Sequence, residues 1–112
     1  MHELGLASEI IKIVNQKLSS ANSEKQILYI DLEIGEMRQV IPDTLQFCFE
    51  SLAEGSRLED ARLRINTVQI GGTCKQCGKE LLLEDVPFYC DSCGSGQLDI
   101  DRGFELKVLS CQ

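Results

Sequence analysis

The chain has no tryptophan, two prolines and a single histidine in 112 residues. Without tryptophan, its core must be built from Leu, Ile and Val with a few Phe. The lone histidine stands at position 2, where it cannot easily sit inside an enclosed catalytic pocket. No Ser-His-Asp, Cys-His or paired-carboxylate set stands out elsewhere, and no glycine-rich phosphate loop is present. The chain therefore reads as a non-enzyme. No apolar run approaches the length of a membrane span. The opening MHELGLASEIIKIVNQ lacks a basic leader region and puts Glu3 and Glu9 where a signal peptide must be apolar. The expected compartment is the cytoplasm, where thiols stay reduced. Positive charge is also scarce: 11 Lys/Arg face 18 Asp/Glu, for a formal net charge of −7. Nucleic-acid binding needs a basic footprint. Neither a nucleic acid nor a membrane is expected as a partner.

What the chain does have is cysteine. Cys74-Lys75-Gln76-Cys77-Gly78 and Cys90-Asp91-Ser92-Cys93-Gly94 are two knuckles with twelve residues between them. Two residues between cysteines let both sulfurs of a tight turn point at one ion. The glycine after each pair allows a backbone that a residue with a Cβ would resist. Twelve intervening residues are enough for two short strands and a turn. The pattern predicts one tetrahedral four-thiolate site, for which zinc is the usual ion. Six cysteines would also permit three disulfides, but a reducing compartment favours metal thiolates. Cys48 lies on an apolar helical stripe and reads as core; Cys111, near the tail, reads as a free thiol.

The rest of the chain suggests an α+β fold. Residues 4–18 carry a helical stripe of Leu4, Ala7, Ile11, Val14 and Leu18, widened by Leu6 and Ile10. Ser19-Ser20-Ala21-Asn22-Ser23 has loop composition. Residues 27–35 alternate as a strand, with Leu28, Ile30, Leu32 and Ile34 on one face. Gly35 to Gln39 is a connection. Pro42 and Asp43 suit the first turn of a second helix whose buried stripe is Leu45, Cys48, Phe49 and Leu52. Residues 61–70 alternate again, with Arg62 and Arg64 outward as a solvated sheet face or as a contact for an acidic partner. Gly71-Gly72 has the composition of a flexible joint. Phe104, Leu106 and Val108 read as a last strand that must pair back with the first part, since an isolated strand is unstable. The expected architecture is two helices packed on a three-stranded sheet, with a zinc ribbon inserted before the final strand. The expected division is 1–71 plus 104–112 for the first domain and 72–103 for the ribbon. A glycine joint between them would also allow exchange of the ribbon or last strand between chains, and hence a homodimer.

The N-terminus, Met1-His2-Glu3, offers either a loose start with an incidental histidine or a metal site. A free α-amino group, the His2 imidazole and the main-chain nitrogens of His2 and Glu3 can close chelate rings around one ion. Four nitrogens in a plane suit Ni(II) or Cu(II).

Together with Leu32-Glu33-Ile34-Gly35-Glu36, Pro42-Asp43, Leu45-Gln46-Phe47-Cys48-Phe49 and both knuckles, the opening Met1-His2-Glu3-Leu4 gives a chain that resembles the HypA/HybF family over its full length. These are the nickel metallochaperones of nickel–iron hydrogenase maturation. The resemblance implies transient Ni(II) cargo at the N-terminus, with His2 as the essential side chain and Met1 and Glu3 supplying main-chain nitrogens. It implies structural Zn(II) on Cys74, Cys77, Cys90 and Cys93. It implies as partners a nickel-binding GTPase of the HypB kind and the hydrogenase large-subunit precursor, and for some members the urease maturation proteins. Some members carry a further histidine near the end of the ribbon. Here residues 95–103 have none, leaving Asp99 and Asp101 as the nearest side-chain substitutes. The rival readings of the knuckles are a rubredoxin-like iron electron-transfer protein, a zinc-ribbon interaction module and a thiol oxidoreductase.

Overall fold

The computed structural model describes residues 2–18 and 25–112. Met1 and the loop expected at Ser19–Ser23 lie outside the described residues. The element order is α1 (His2–Leu18), β1 (Tyr29–Gly35), a short 3-10 turn (Glu36–Arg38), α2 (Pro42–Ala53), β2 (Arg62–Val68), β3 (Gly71–Cys74), β4 (Glu80–Leu82), β5 (Leu98–Arg102) and β6 (Leu106–Cys111). One three-stranded sheet runs β2-β1-β6 and a second runs β4-β3-β5. The expected α+β class, with two helices, a three-stranded sheet and an inserted ribbon, is the observed one.

The chain forms two compact units. The first takes Met1–Glu33, Val40–Asn66 and Lys107–Gln112; the second takes Ile34–Gln39 and Thr67–Leu106. In the first, α1 buries Leu6, Ala7, Ile10 and Val14. That stripe is rotated from the expected one. Leu4 lies roughly 100° around the helix from its centre and is exposed. α2 starts on Pro42, whose fixed φ suits the first turn, and buries Leu45, Cys48, Phe49 and Ala53. Leu52, expected in the stripe, is exposed instead. Periodicity sets the direction of a side chain but not where its neighbours end. Ile30, Leu32 and Ile34 of β1 are buried as expected, whereas Leu28 precedes the strand and is exposed. β6 does pair with β1. Its Val108 is buried, but Phe104 falls before the strand and is exposed.

The second unit has a small core of Ile70, Cys74, Leu81, Leu83 and Cys90, with Phe88, Leu98 and Ile100 packed against it. β3 is its centre, antiparallel to both β4 and β5. Two expectations are corrected here. Gly71-Gly72 is not a flexible joint but part of β3, and both glycines are buried. A Cβ on Gly72 would run into the main-chain carbonyl of Asp99 on β5, so glycine here permits close strand approach. The segment between the knuckles holds one strand, β4, not two. β4 instead pairs with β3, which precedes the first knuckle, and residues 83–89 return without a strand.

Candidate metal centres

Each knuckle is a turn held by its own main chain. Cys74 ends β3 and donates its N–H to the Lys79 carbonyl at 2.9 Å, while the Gly78 N–H bonds the Cys74 carbonyl at 2.9 Å. The second knuckle repeats the pattern: Cys90 N–H to the Ser95 carbonyl at 2.8 Å, and Gly94 N–H to the Cys90 carbonyl at 2.9 Å. Gly78 and Gly94 both have left-handed backbone, with φ of 79° and 77°, which explains glycine at each position. Further N–H groups point at sulfur. Cys77 donates to the Cys74 Sγ at 3.4 Å, and Cys93 to the Cys90 Sγ at 3.5 Å.

The four sulfurs converge. Cys74 Sγ lies 3.6 Å from Cys93 Sγ, and Cys77 Sγ lies 3.6 Å from Cys90 Sγ. All four fall within 4.8 Å of one another. Four thiolates around a tetrahedral zinc, with Zn–S near 2.3 Å, stand about 3.8 Å apart. Cys74 and Cys90 are buried, whereas Cys77 and Cys93 are exposed. The thiols are electrostatically uneven. The Cys77 N–H, ahead of that of Gln76, pulls Cys74 down to about 6. The Ser95 N–H also pulls on Cys93, but the neighbouring sulfurs and burial outweigh it and push its thiol up to about 12. Negative charge on one sulfur thus opposes charge on the next, and a divalent cation relieves that opposition. The donor set fits a structural metal of the zinc class.

The N-terminal turn is built differently. His2 begins α1 with its side chain 49% exposed, and its Nδ1 lies 3.4 Å from the Glu3 Oε2. The Glu3 carboxylate accepts the Ile41 N–H at 3.3 Å, from the residue before α2. That bond is the main cause that holds its pKa below the ordinary carboxylate range. The carboxylate is therefore engaged with protein, while the first main-chain N–H groups of a helix have no acceptor within it. The sequence singled out His2 and Glu3 but missed Ile41. A residue just ahead of a Pro-started helix was the available signal.

Elsewhere, Cys48 is buried in α2 and Cys111 is half-buried. Burial pushes the Cys111 thiol up. Asp99 and Asp101 are exposed on β5, and Asp101 pairs with its neighbour Arg102 at 3.0 Å. Arg62 is exposed, but Arg64 is held. It donates twice to Asp31, at 2.7 and 2.9 Å, and its guanidinium lies 4.4 Å from the Tyr29 ring centre. Ser110 adds a hydroxyl donor to Asp31 at 2.6 Å.

The family model described as "Hydrogenase/urease nickel incorporation, metallochaperone, hypA" matches residues 1–112. The chain belongs to the HypA family. Its relatives include hydrogenase maturation factor HypA of Desulfatibacillum aliphaticivorans, 36% identical over 112 residues, covering 100% of this chain and 86% of that one. The factor of the same name in Nostoc punctiforme is 40% identical over 108 residues, covering 96% and 91%. Among solved structures, the solution structure of the Ni metallochaperone HypA from Helicobacter pylori superposes with a TM-score of 0.71 at 25% identity, covering 100% of this chain and 97% of that one. HypA proteins are metallochaperones of nickel incorporation in hydrogenase maturation, not a family of catalysts. No described helix is long and apolar enough to cross a membrane.

Proposed function

We propose that this protein carries Ni(II) at its N-terminus and delivers it during hydrogenase maturation, while Cys74, Cys77, Cys90 and Cys93 hold zinc as a permanent structural ion. The observation that carries the nickel reading is the placement of the only histidine on the exposed first turn of α1. There its imidazole stands beside main-chain nitrogens that the helix does not use. Met1 and Glu3 contribute main-chain nitrogens, and Glu3 keeps its carboxylate for Ile41. A planar nitrogen set favours Ni(II) over Zn(II), and a solvent-open set can be exchanged ligand by ligand with a recipient. The recipients in this reading are a HypB-like GTPase and the hydrogenase large-subunit precursor, in the cytoplasm, with urease maturation proteins as a further client.

The test is a Ni(II) titration of zinc-loaded protein with its native N-terminus, followed by absorption. A His2→Ala variant and a chain extended by one residue before Met1 run beside it. One nickel per chain, lost in both variants with one zinc retained, is the expected result. Binding that ignores His2 defeats the nickel site. Iron rather than zinc in the isolated protein defeats the structural-zinc assignment. Co-purification with a HypB-type GTPase, unchanged by His2→Ala, tests the partner separately.

A further inference from the structure

The return segment of the second unit exposes apolar side chains that its fold does not need. Leu83 and Cys90 point into the small core at 5% and 1% exposure. Between and beside them, Leu82, Val86 and Tyr89 are exposed at 64%, 77% and 61%. Binding pockets are commonly roughly 300–1,000 Å³, and a groove of ≈ 560 Å³ runs along residues 82–89 and Asp91. Its walls carry Glu84, Asp85 and Asp91 and no lysine or arginine. Asp91 is paired with Lys79 at 2.7 Å. Glu84 and Asp85 are exposed and form no ion pair among the described residues.

We infer that this groove is a docking surface for a protein segment with an apolar anchor flanked by basic residues. Exposed apolar side chains grouped on one surface and rimmed by charge mark an interaction site rather than a solvated loop. The unpaired charges on its walls, Glu84 and Asp85, are both negative, so a cationic segment is drawn in and an anionic one repelled. A second copy of this chain, with its own net charge of −7, is disfavoured by the same rule. The surface is independent of His2, so the docking reading and the nickel reading fail separately.

The test uses the zinc-loaded full chain and NMR amide shifts, with a synthetic peptide probe of Leu-Phe flanked by lysines. Two control peptides carry the same Leu-Phe flanked by serines or by glutamates. The lysine peptide is expected to shift Leu82, Val86, Phe88 and Tyr89 saturably, the serine peptide to bind more weakly, and the glutamate peptide not to bind. Glu84→Lys with Asp85→Lys should weaken the lysine peptide about fivefold. Val86→Ser with Tyr89→Ser should weaken it about tenfold. Because these side chains are exposed, both double variants should keep one zinc and the wild-type circular dichroism, which checks the fold. Equal binding of the glutamate peptide overturns the inference. So does binding that survives Val86→Ser with Tyr89→Ser, or shifts that map outside 82–91. Shifts at 82–91 that grow with protein concentration alone would assign the groove to a second copy and also overturn it.

Discussion

Cys74 and Cys90 are each 1% exposed and receive N–H groups from their own knuckles. His2, by contrast, stands on a helix start with half its side chain in solvent. The difference is one of enclosure. A closed set of four soft donors holds an ion whose loss would leave a cluster of mutually repelling sulfurs. A turn with one imidazole and free main-chain nitrogens can surrender an ion one ligand at a time. In the proposed reading, the part that would retain metal is the part whose small core would need it to fold. The part that would pass metal on is supported by a core of its own.

The largest effect that would break this contrast concerns the cluster. Removing zinc with a strong chelator, or making Cys90→Ser, should unfold the second unit locally. Structural zinc sites contribute on the order of 10 kcal/mol of binding energy to folding, and the core around Ile70, Leu81 and Leu83 is small. Hydrogen exchange should show loss of protection in β3 and β5 while α1 and α2 stay protected. Uniform loss in both units would show that the N-terminal core does not stand alone. Retained protection in β3 would show that the ribbon does not rely on metal.

A smaller effect probes the strands that carry the first knuckle. Gly72→Ala places a Cβ against the Asp99 carbonyl. It should cost about 3 kcal/mol, the upper range for overpacking, read as a lower thermal midpoint. Zinc affinity should fall with it, since Cys74 ends the same strand. The unaffected behaviour expected of a flexible joint would contradict the strand assignment.

The smallest effect lies in the first unit. The Arg64 guanidinium, then the Ser110 hydroxyl, hold Asp31 below its ordinary value of 3.8. A carboxyl depressed on folding stabilises above its unfolded value, and that contribution is lost as pH falls through the folded value. Asp31→Asn should therefore lower stability slightly at neutral pH, with the difference from wild type vanishing in strong acid. Arg64→Lys should show a similar small loss, because lysine cannot donate in a planar pair. The Arg64–Asp31 pair is exposed enough that the effect stays small. Nickel binding should be unchanged, which makes these variants controls for the N-terminal site. A stability difference that persists below the folded value would mean that Asp31 acts through something other than its charge.

The metal cluster was legible in the sequence because four cysteines in paired turns have few other uses in a reduced chain. The strand of Ile30, Leu32 and Ile34 was legible from its period. The return of the last strand to the first part followed from the absence of any partner within its own segment; that the partner is β1 did not. Gly71-Gly72 was misread because glycine suits a joint and a close strand approach equally well. What separates the two is a carbonyl at Asp99, far along the chain. The pairing of β4 with β3 and not with a second strand between the knuckles was hidden for the same reason. The outward Asp31 and Arg64 could be seen as charges on alternating positions. Their meeting, and the arrival of Ser110 beside them, depended on which strands neighbour which.

By itself, then, the sequence determined the chemistry: four thiols at knuckle spacing, one histidine at the start, an acidic surface and the periods of helices and strands. These are local properties, set by residue type and by spacing of a few positions. The tertiary structure decided which sulfurs are buried, which glycines sit in a strand, and what engages Glu3. It also decided that Leu82, Val86 and Tyr89 share one acidic-walled groove. Those are outcomes of contacts between distant segments, and burial and close approach exist only once the chain has brought the segments together.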